Sequence, residues 1–412
     1  MQVRWGPSRQ ARALLVVALV GLGTAVAAHR VELLAVGLPS LWALLSAPRG
    51  PEATRVTVHA LRQVRAVEGD PVDLSVEMSL DRPAAWFRAE LALPPALDGG
   101  LVAVGEGRRL VVDGAPVVRR WGKHRPGPVR VELLGRGALR GAVVDVPLDL
   151  EVLALPRPSP LQTGSAPPDL PDQLGEHVTR SIGFGVEPVG VRAHVPGDSL
   201  RRINWAVTSR RDTLHVTVAA AERSVDLVVV VDALASIGTP PDTTLDRAVR
   251  TAAGVAQRWL RDRDRVGLVV LGGALRWLTP ASGRIQEQRI GEAVLMAWAP
   301  PGQVSPEVAR VPRSVLPDGA IVVLVSPLVD DRAFDAAEAL RRRANRVVVI
   351  DILAQDGPAV DLADPLAVMA ARLWRLERAA SVTRMERRGV PVIASGTGDL
   401  DRLLSLAVRR PA

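Results

Sequence analysis

The first fifty residues contain two strongly apolar runs with a short polar connector between them. Residues 13–28 and 33–47 are apolar, and residues 29–32 interrupt them with histidine, arginine and glutamate. A helix that spans a membrane needs about 20 residues, so each run is slightly short for a span by itself. Together the runs predict a transmembrane helical hairpin over residues 1–50 with a polar tip.

The arginines around this hairpin predict its orientation. Cytoplasmic flanks of membrane helices are enriched in arginine and lysine. Both flanks are therefore expected in the cytoplasm, which makes the chain a two-pass protein of the cell membrane with cytoplasmic soluble domains. The flanking arginines are Arg4, Arg9 and Arg12 before the hairpin and Arg49, Arg55 and Arg62 after it.

A cleaved signal peptide is the alternative interpretation of the amino terminus. Arg4 to Arg12 would form its basic region, and Ala25-Val26-Ala27 resembles a small-residue cleavage site. The second apolar run would then need another role, such as a buried helix. We favour the hairpin because it accounts for both runs.

Residues 51–155 alternate apolar and polar side chains in short runs separated by glycine and proline clusters, which predicts a small β-sandwich. A spacer or a recognition module is the role that this pattern favours. Residues 156–190 begin with a proline-rich stretch and are expected to be an extended linker. The alternating runs are residues 56–61, 72–78, 87–93 and 128–134.

Residues 225–412 alternate continuous apolar runs with stretches of helical periodicity. This pattern predicts an α/β domain with a mainly parallel sheet covered on both faces, whose functional residues lie at the carboxyl ends of the strands. The predicted strands are residues 225–231, 266–271, 320–325, 347–352 and 390–394, and the predicted helices are residues 243–260, 331–344 and 364–388.

Residues 191–224 form a separate segment that we expect to hold a short helix over about 199–210. Asp198 or Ser199 would cap this helix, with Leu200, Ile203 and Val207 on its apolar face. The opposite face is either a recognition surface or an internal latch on the next domain, and the sequence leaves both open. The candidate partner-binding residues are Gly197, Asp198, Arg201, Arg202, Trp205 and Arg210.

Composition removes several classes of function. The net charge is +8, but Lys123 is the sole lysine, and the arginines are scattered without interleaved aromatic residues. A GC-rich genome explains this arginine bias better than nucleic-acid binding does. With no cysteine, the chain has no disulfide, thiol nucleophile or thiolate metal site.

No standard catalytic motif is present. The sequence has no Gly-x-Ser-x-Gly elbow, no Gly-Lys-Ser/Thr phosphate loop and no His-Glu-x-x-His pair, and its six histidines are dispersed. We therefore expect a protein that is not an enzyme. An unrecognised hydrolase stays as an alternative.

The segment 191–216 resembles the signature of the domain-of-unknown-function family 58. The resemblance rests on Val191 to Asp198, then Arg201-Arg202-Ile203-Asn204-Trp205, then Ser209-Arg210 and Leu214-His215-Val216. Ser199 and Ser209 stand where the family usually has aspartate and often has alanine. Upstream, residues 121–128 resemble a strand pair of the family without its tyrosine, so the similarity covers about residue 54 to the end.

This resemblance implies that residues 225–412 fold as a von Willebrand A-like domain. Such domains often bind a divalent cation through Asp-x-Ser-x-Ser after their first strand, because Mg²⁺ prefers oxygen ligands. Here the string is Asp232-Ala233-Leu234-Ala235-Ser236, and Ser326-Pro327 stands where a second aspartate usually follows a later strand. Asp232 and Ser236 are thus a degenerate metal site. We expect it to be unoccupied and expect no cofactor.

The resemblance also implies a function. Family members are commonly paired with a MoxR-type AAA+ ATPase, and their tandem membrane anchor is usual. The expected role is a membrane-anchored adaptor or scaffold that acts with such an ATPase in the assembly or activation of other proteins. An outward-facing, ligand-binding adhesion-type module is the alternative that the topology would distinguish.

Overall fold

The structure, a computed structural model, divides into two compact units. The first unit comprises Met1–Ser159, Ser236–Ala253 and Gly291–Ala297, and the second comprises the remaining residues. Only the backbone is described for residues 182–189 and 218–220. The described residues are 1–46, 53–160, 182–195, 199–200, 203–211, 213–220, 226–273, 275–299, 308–343, 346–353 and 363–395.

The first unit is rich in β-structure. Its strands are β1 (Gln2–Arg4), β2 (Gly6–Pro7), β3 (Ala53–Ala60), β4 (Gln63–Val67), β5 (Leu74–Leu91), β6 (Leu97–Asp98), β7 (Leu101–Gly114), β8 (Val117–Val118), β9 (Gly122–His124), β10 (Val129–Leu134), β11 (Arg140–Val146) and β12 (Glu151–Leu155).

The largest sheet of this unit has seven antiparallel strands in the order β1-β3-β5-β10-β11-β2, with β7 paired to the other edge of β5. A second sheet has the order β4-β12-β9, and β6 pairs with β8. Apolar side chains such as Met78, Phe87 and Val131 are fully buried between these strands. The alternation in the sequence therefore reflects one buried face on each strand.

Strand β5 corrects the predicted strand pattern. The sequence predicted separate strands at 72–78 and 87–93, whereas the structure has one strand of 18 residues. Its pairing with β7 shifts register between Ser79 and Ala84, at the irregularity that contains Pro83. A bulge of this kind bends a strand without ending it, and it tolerates a proline that has no N–H to donate.

Two apolar helices, α1 (Arg9–Ala28) and α2 (Leu34–Leu45), form a hairpin joined by a 3₁₀ turn at Val31–Leu33. The helices approach closely where two glycines meet: a Cβ on Gly21 would lie 2.7 Å from the backbone nitrogen of Gly37. Small residues allow such backbone contact between apolar helices. In the described part of the chain, α1 is long and apolar enough to cross a membrane, and α2 is shorter.

The residues before α1 belong to the β-rich unit, which differs from the separate domain predicted for residues 1–50. Strand β1 pairs with β3 in the register Gln2↔Arg55, and β2 pairs with β11. The side chain of Trp5 is buried, and its indole N–H donates to the Thr54 hydroxyl at 2.8 Å. The chain therefore leaves this sheet at residue 7 and returns to it at residue 53.

Residues 236–253 of the first unit include the start of helix α4 (Thr244–Arg261). Thr243 and Asp246 form a capping box: Thr243 Oγ1 accepts from the Asp246 N–H at 3.1 Å, and Asp246 Oδ2 accepts from the Thr243 N–H at 2.9 Å. The Arg120 Nε donates to the fully buried Asp246 carboxylate at 2.8 Å. This pair joins positions that are 126 residues apart in sequence.

The second unit contains an antiparallel pair and a six-stranded sheet. The pair is β13 (Ile182–Ala193) with β14 (His215–Ala220). Residues 182–190 were assigned by the sequence to the linker, and they are part of β13; residues 161–181 of that predicted linker lie outside the described residues. The six strands are β15 (Asp226–Asp232), β16 (Arg265–Leu271), β17 (Arg276–Ala281), β18 (Ile321–Ser326), β19 (Arg346–Asp351) and β20 (Val392–Ala394).

The six-stranded sheet has the order β17-β16-β15-β18-β19-β20. Four of its five strand pairs are parallel, and the β16–β17 pair is antiparallel. Successive residues of β15 and β18 are fully buried, so both faces of the sheet are covered. The other described helices are α3 (Trp205–Arg211), α5 (Arg284–Val294), α6 (Asp331–Arg343) and α7 (Pro365–Arg387).

Candidate functional site: the α3 surface and the carboxyl edge of the sheet

Helix α3 begins later than the sequence predicted. The predicted helix covered residues 199–210 with a cap at Asp198 or Ser199, whereas α3 begins at Trp205. Ile203 forms a β-bridge with Val216, and its N–H donates to the Leu200 carbonyl at 3.3 Å. Leu200, assigned to the buried stripe, is 69% exposed. Ile203 thus lies beside strand β14, and Leu200 is not part of a buried face.

Asn204 is the residue that starts α3. Its side-chain Oδ1 accepts from the Val207 N–H at 3.1 Å, and its Nδ2 donates to the Thr217 hydroxyl at 3.2 Å. Its backbone N–H donates to the His215 carbonyl at 2.8 Å. Asparagine is among the preferred N-cap residues, so this role was visible in the sequence but was assigned to earlier positions.

A second contact fixes the helix on β14: the Thr208 hydroxyl accepts from the His215 N–H at 3.0 Å. The backbone of this short helix is therefore held by two of its own polar side chains, Asn204 and Thr208. Neither Trp205 nor Arg210 takes part in this attachment, and both are exposed.

The exposed side chains of α3 include two of the six predicted partner-binding residues. Trp205 is 68% exposed, and Arg210 is exposed at the opposite end of the helix. The other four predicted residues, Gly197, Asp198, Arg201 and Arg202, lie outside the described residues. We refer to Trp205 and Arg210 together as the α3 surface.

The carboxyl edge of the six-stranded sheet holds a buried polar pair, Asp232 and Ser326. Asp232 ends β15 and Ser326 ends the neighbouring β18, so parallel pairing brings them together across 94 residues of sequence. Ser326 Oγ donates to Asp232 Oδ2 at 2.6 Å, and the Leu234 N–H donates to Asp232 Oδ1 at 2.9 Å. Burial raises the pKa of the Asp232 carboxyl, against the hydrogen bond from Ser326.

An arginine lies near this pair. Arg332, at the start of α6, makes an ion pair with Asp330 and donates to the Leu234 carbonyl at 3.5 Å. Its hydrogen bonds hold the pKa of the Asp330 carboxyl below its usual value. The positive charge of Arg332 also acts on Asp232. The nearby Asp330 carboxylate raises the pKa of Asp232 and offsets the effect of Arg332, so the ionised Asp232 is stabilised mainly by the hydrogen bonds from Ser326 and Leu234.

A second buried carboxylate, Asp351, ends the next strand, β19. Arg378 of α7 donates to it and also donates to the Leu328 carbonyl at 2.7 Å. Burial raises the pKa of the Asp351 carboxyl, and the charge of Arg378 opposes this shift. Sequence analysis missed Asp351, Arg332 and Arg378. The signal for Asp351 was available, because it follows an apolar run as Asp232 does.

These residues do not fit a Mg²⁺ site. Mg²⁺ needs several oxygen ligands in octahedral geometry. Both oxygens of Asp232 already accept hydrogen bonds, and the Ser326 hydroxyl also accepts from the Leu328 N–H. Ser236, the other predicted ligand, is exposed. Among the described residues, no group of three histidine, aspartate or glutamate side chains is arranged to hold a metal.

Six strands, four of their five pairings parallel, with helices between them define an α/β domain. Residues 190–372 match the family described as "Protein of unknown function DUF58". The chain therefore contains a DUF58 family domain over these residues. The match includes α3, β14 and the strands that end in Asp232, Ser326 and Asp351.

The similar proteins are mycobacterial. Uncharacterized protein Mb1516 of Mycobacterium bovis and Uncharacterized protein Rv1480 of Mycobacterium tuberculosis are each 31% identical to this chain over 201 residues. The aligned part is 48% of this chain and 56% of the length of each relative. The chain therefore spans little more than half of these relatives.

The solved structure of Cwp6 from Clostridium difficile aligns with 72% of this chain and uses 37% of the Cwp6 chain. The two chains are 12% identical, and the TM-score is 0.17. A score at that level supports no argument about a shared fold.

Proposed function

We propose that this protein is a membrane-anchored adaptor that binds a protein partner through the α3 surface. The observation that carries the proposal is Trp205, a large aromatic side chain that is 68% exposed on a helix whose backbone is fixed by Asn204 and Thr208. Aromatic and arginine side chains dominate the binding energy of protein interfaces. A rigid helix that presents both types has little conformational entropy to lose on binding.

The α/β part of the second unit is, in this proposal, a von Willebrand A-like domain that works without a metal. Its first strand, β15, lies at the centre of the sheet and ends in Asp232. The next strand, β16, is on one side of β15 and the later strand β18 is on the other, so the strand order reverses at β15. Ligands of open α/β sheets bind at such switch points. Here the edge is occupied by the hydrogen bond between Asp232 and Ser326, which supports a structural role for it.

The proposed anchor is the α1–α2 hairpin, with two passes and both soluble units in the cytoplasm. Its support is the length of α1, the exposed apolar side chains of the hairpin, and the pairing of β1 with β3. Because β1 precedes the hairpin and β3 follows it, their pairing requires both flanks on the same side of a membrane. The arginines of both flanks favour the cytoplasmic side.

The partner that we propose is a MoxR-type AAA+ ATPase, which the resemblance of residues 191–216 suggests. The adaptor would position that ATPase at the membrane during the assembly or activation of another protein. The test is binding of the purified ATPase from the same organism to the full chain in detergent, measured for wild type and for Trp205→Ala. We expect the variant to lose at least about 2 kcal/mol, roughly 30-fold in Kd, as hot-spot aromatics do.

The thermal unfolding of Trp205→Ala should match wild type, because changes at exposed side chains usually stay within about 0.5 kcal/mol. Val216→Ala is the control: Val216 is 3% exposed on β14, so truncating it should lower the melting temperature. If Trp205→Ala melts as early as Val216→Ala, Trp205 is an internal latch and the recognition surface is wrong. If wild type does not bind the ATPase, the proposed partner is wrong.

A further inference from the structure

Helix α7 exposes an apolar stripe to solvent. Leu366, Met369, Leu373 and Leu376 follow one another at spacings of three, four and three residues, and each is between 57% and 77% exposed. This spacing places the four side chains on one face of the helix and is the spacing of the core positions of a coiled coil. Large apolar side chains grouped in this way mark an interaction site more often than isolated ones do.

The opposite face of α7 packs on the α/β domain. Ala371 and Met385 are buried, and Met385 belongs to the core beneath α6. Arg378 donates to the Leu328 carbonyl, and its guanidinium lies 5.3 Å from the ring centroid of Trp374. These contacts fix the rotation of the helix, so the apolar stripe faces outward on a rigid support.

Two opposite charges flank the stripe. Arg372 and Glu377 are exposed and lie on its two sides, five residues apart, which is too far around the helix for them to meet within one chain. Within the described ranges, neither forms an ion pair or a hydrogen bond. In heptad terms, with Leu366 and Leu373 at position a, Arg372 is at g and Glu377 is at the following e.

We propose that the α7 stripe binds the same stripe of a second copy of this chain, with the two helices parallel and in register. In that arrangement Arg372 of each copy meets Glu377 of the other, which gives two symmetric ion pairs beside the apolar seam. An antiparallel arrangement that stacks Leu366 on Leu376 instead places both copies of Arg372 beside the two-fold axis. Like charges repel there, so charge complementarity selects the parallel dimer.

The dimer should be weak and reversible. The stripe runs from Leu366 to Leu376, ten residue steps or about 15 Å along the helix axis. That is less than the patch buried in a stable protein–protein interface. The inference is independent of the partner proposed for Trp205, because it concerns a different helix and a different surface.

The absence of native cysteine permits a direct test in the full chain. Met369→Cys and Leu373→Cys each place one thiol in the seam, whereas Arg375→Cys places an exposed thiol outside it on the same helix. After mild oxidation of the protein in detergent at micromolar concentration, we expect disulfide-linked dimers of the two seam variants. The Arg375→Cys protein should stay monomeric on non-reducing gels.

Charge reversal supplies the second arm of the test. In the Met369→Cys background, Glu377→Arg should lower the cross-linked fraction about fivefold, since it replaces two attractive pairs by two repulsive ones. Adding Arg372→Glu should restore the fraction by recreating the pairs with reversed sign. This rescue separates a specific seam from a general loss of folding.

Three results would overturn the proposal. The first is cross-linking at Arg375→Cys as strong as at the seam positions, and the second is failure of the reversed pair to restore the dimer. The third is the absence of cross-linking at both seam positions. If anionic lipid vesicles then protect Met369→Cys from a maleimide, the stripe belongs to a lipid surface instead of a second copy.

Discussion

At the scale of single residues, the structure gives three buried polar side chains a role that their sequence positions only suggested. Asp232, Ser326 and Asp351 end neighbouring parallel strands, and each accepts a hydrogen bond from a backbone N–H two residues further on. Such bonds replace the water that a buried oxygen loses. The edge of the sheet is therefore held by hydrogen bonds from its own loops.

The buried Asp232 predicts a pH-dependent stability. Its pKa is raised in the folded protein, so the folded state binds the proton more tightly than the unfolded state does. The resulting stabilisation is complete below about pH 4 and is lost as the pH rises through the folded pKa. Relative to Asp232→Asn, which does not titrate, wild type should lose free energy of unfolding between pH 4 and 7. Urea unfolding of the full chain in detergent measures the difference.

Asp330→Asn is the control with the opposite sign. The pKa of Asp330 is lowered by Arg332, so its ionised form stabilises the folded state above about pH 4. Wild type relative to Asp330→Asn should therefore gain stability as the pH rises toward about 4 and stay level from pH 4 to 7, where wild type loses stability relative to Asp232→Asn. A difference from Asp232→Asn that stays level between pH 4 and 7, as the control does, would contradict the assignment.

At the scale of elements, α3 depends on its first residue. A helix of seven residues is marginal in water and needs both its cap and its attachment to β14. Asn204 supplies both, through Oδ1 to the Val207 N–H and through Nδ2 to Thr217. The orientation of Trp205 is thus set by the residue before it.

Removing this cap should loosen the helix. Asn204→Ala removes the side-chain oxygen that accepts from the Val207 N–H, which costs about 1 kcal/mol for a typical N-cap. We expect amide hydrogen exchange across residues 205–211 to become about fivefold faster. Asn204→Asp preserves the capping oxygen and should exchange at nearly the wild-type rate. Equally fast exchange in both variants would instead show that the bond to Thr217 holds the helix.

The accuracy of the predicted elements follows from how local their signals are. The apolar runs of β15, β16, β18 and β19 agree with the strands to within a residue or so, and the helical periods of α6 and α7 do likewise. Buried parallel strands and amphipathic helices have patterns that a short window contains. Helix α5 and strand β17 were both missed. For β17 the reason is that Arg276–Ala281 has charged and exposed positions that resemble a loop.

At the scale of the whole molecule, the pairing of β1 with β3 bears on the competing interpretations of the amino terminus. Val3 and Trp5 are buried in the core of the first unit. Cleavage after Ala27 would remove both of them and leave the edge of β3 unpaired. If the hairpin is retained, β3 keeps its partner, because the chain returns to the sheet beside β1.

We expect both flanks of the hairpin on the cytoplasmic side. A double variant, Gln2→Cys with Arg55→Cys, should form a disulfide within one chain, because these residues are partners in the β1–β3 register. Gln2→Cys with Arg62→Cys is the control, since seven residues along an extended chain separate the thiols by about 23 Å. A reporter that is active only outside the cell, fused after Pro51, should stay silent.

Two results would contradict this topology. A mature chain that begins after Ala27, identified by mass spectrometry, would establish a signal peptide. An active reporter after Pro51 would place the soluble units outside the cell. In that case the adhesion-type module becomes the better function, and an ATPase of the cytoplasm is excluded as a direct partner.

The sequence by itself determined the properties that depend on neighbouring residues. Continuous apolar runs located most strands of the six-stranded sheet, periodic apolar positions located α4, α6 and α7, and the run at 13–28 located the long apolar helix. Each of these signals is contained within about twenty residues.

The tertiary structure alone decided which distant residues meet. Ser326 lies on Asp232 because β15 and β18 are adjacent in the sheet, and Arg120 reaches Asp246 across 126 residues. The merging of two predicted strands into β5 and the pairing of β1 with β3 are of the same kind. A hydrogen bond or strand pair between segments far apart depends on sheet order and burial, which many segments set together, so no local pattern specifies it.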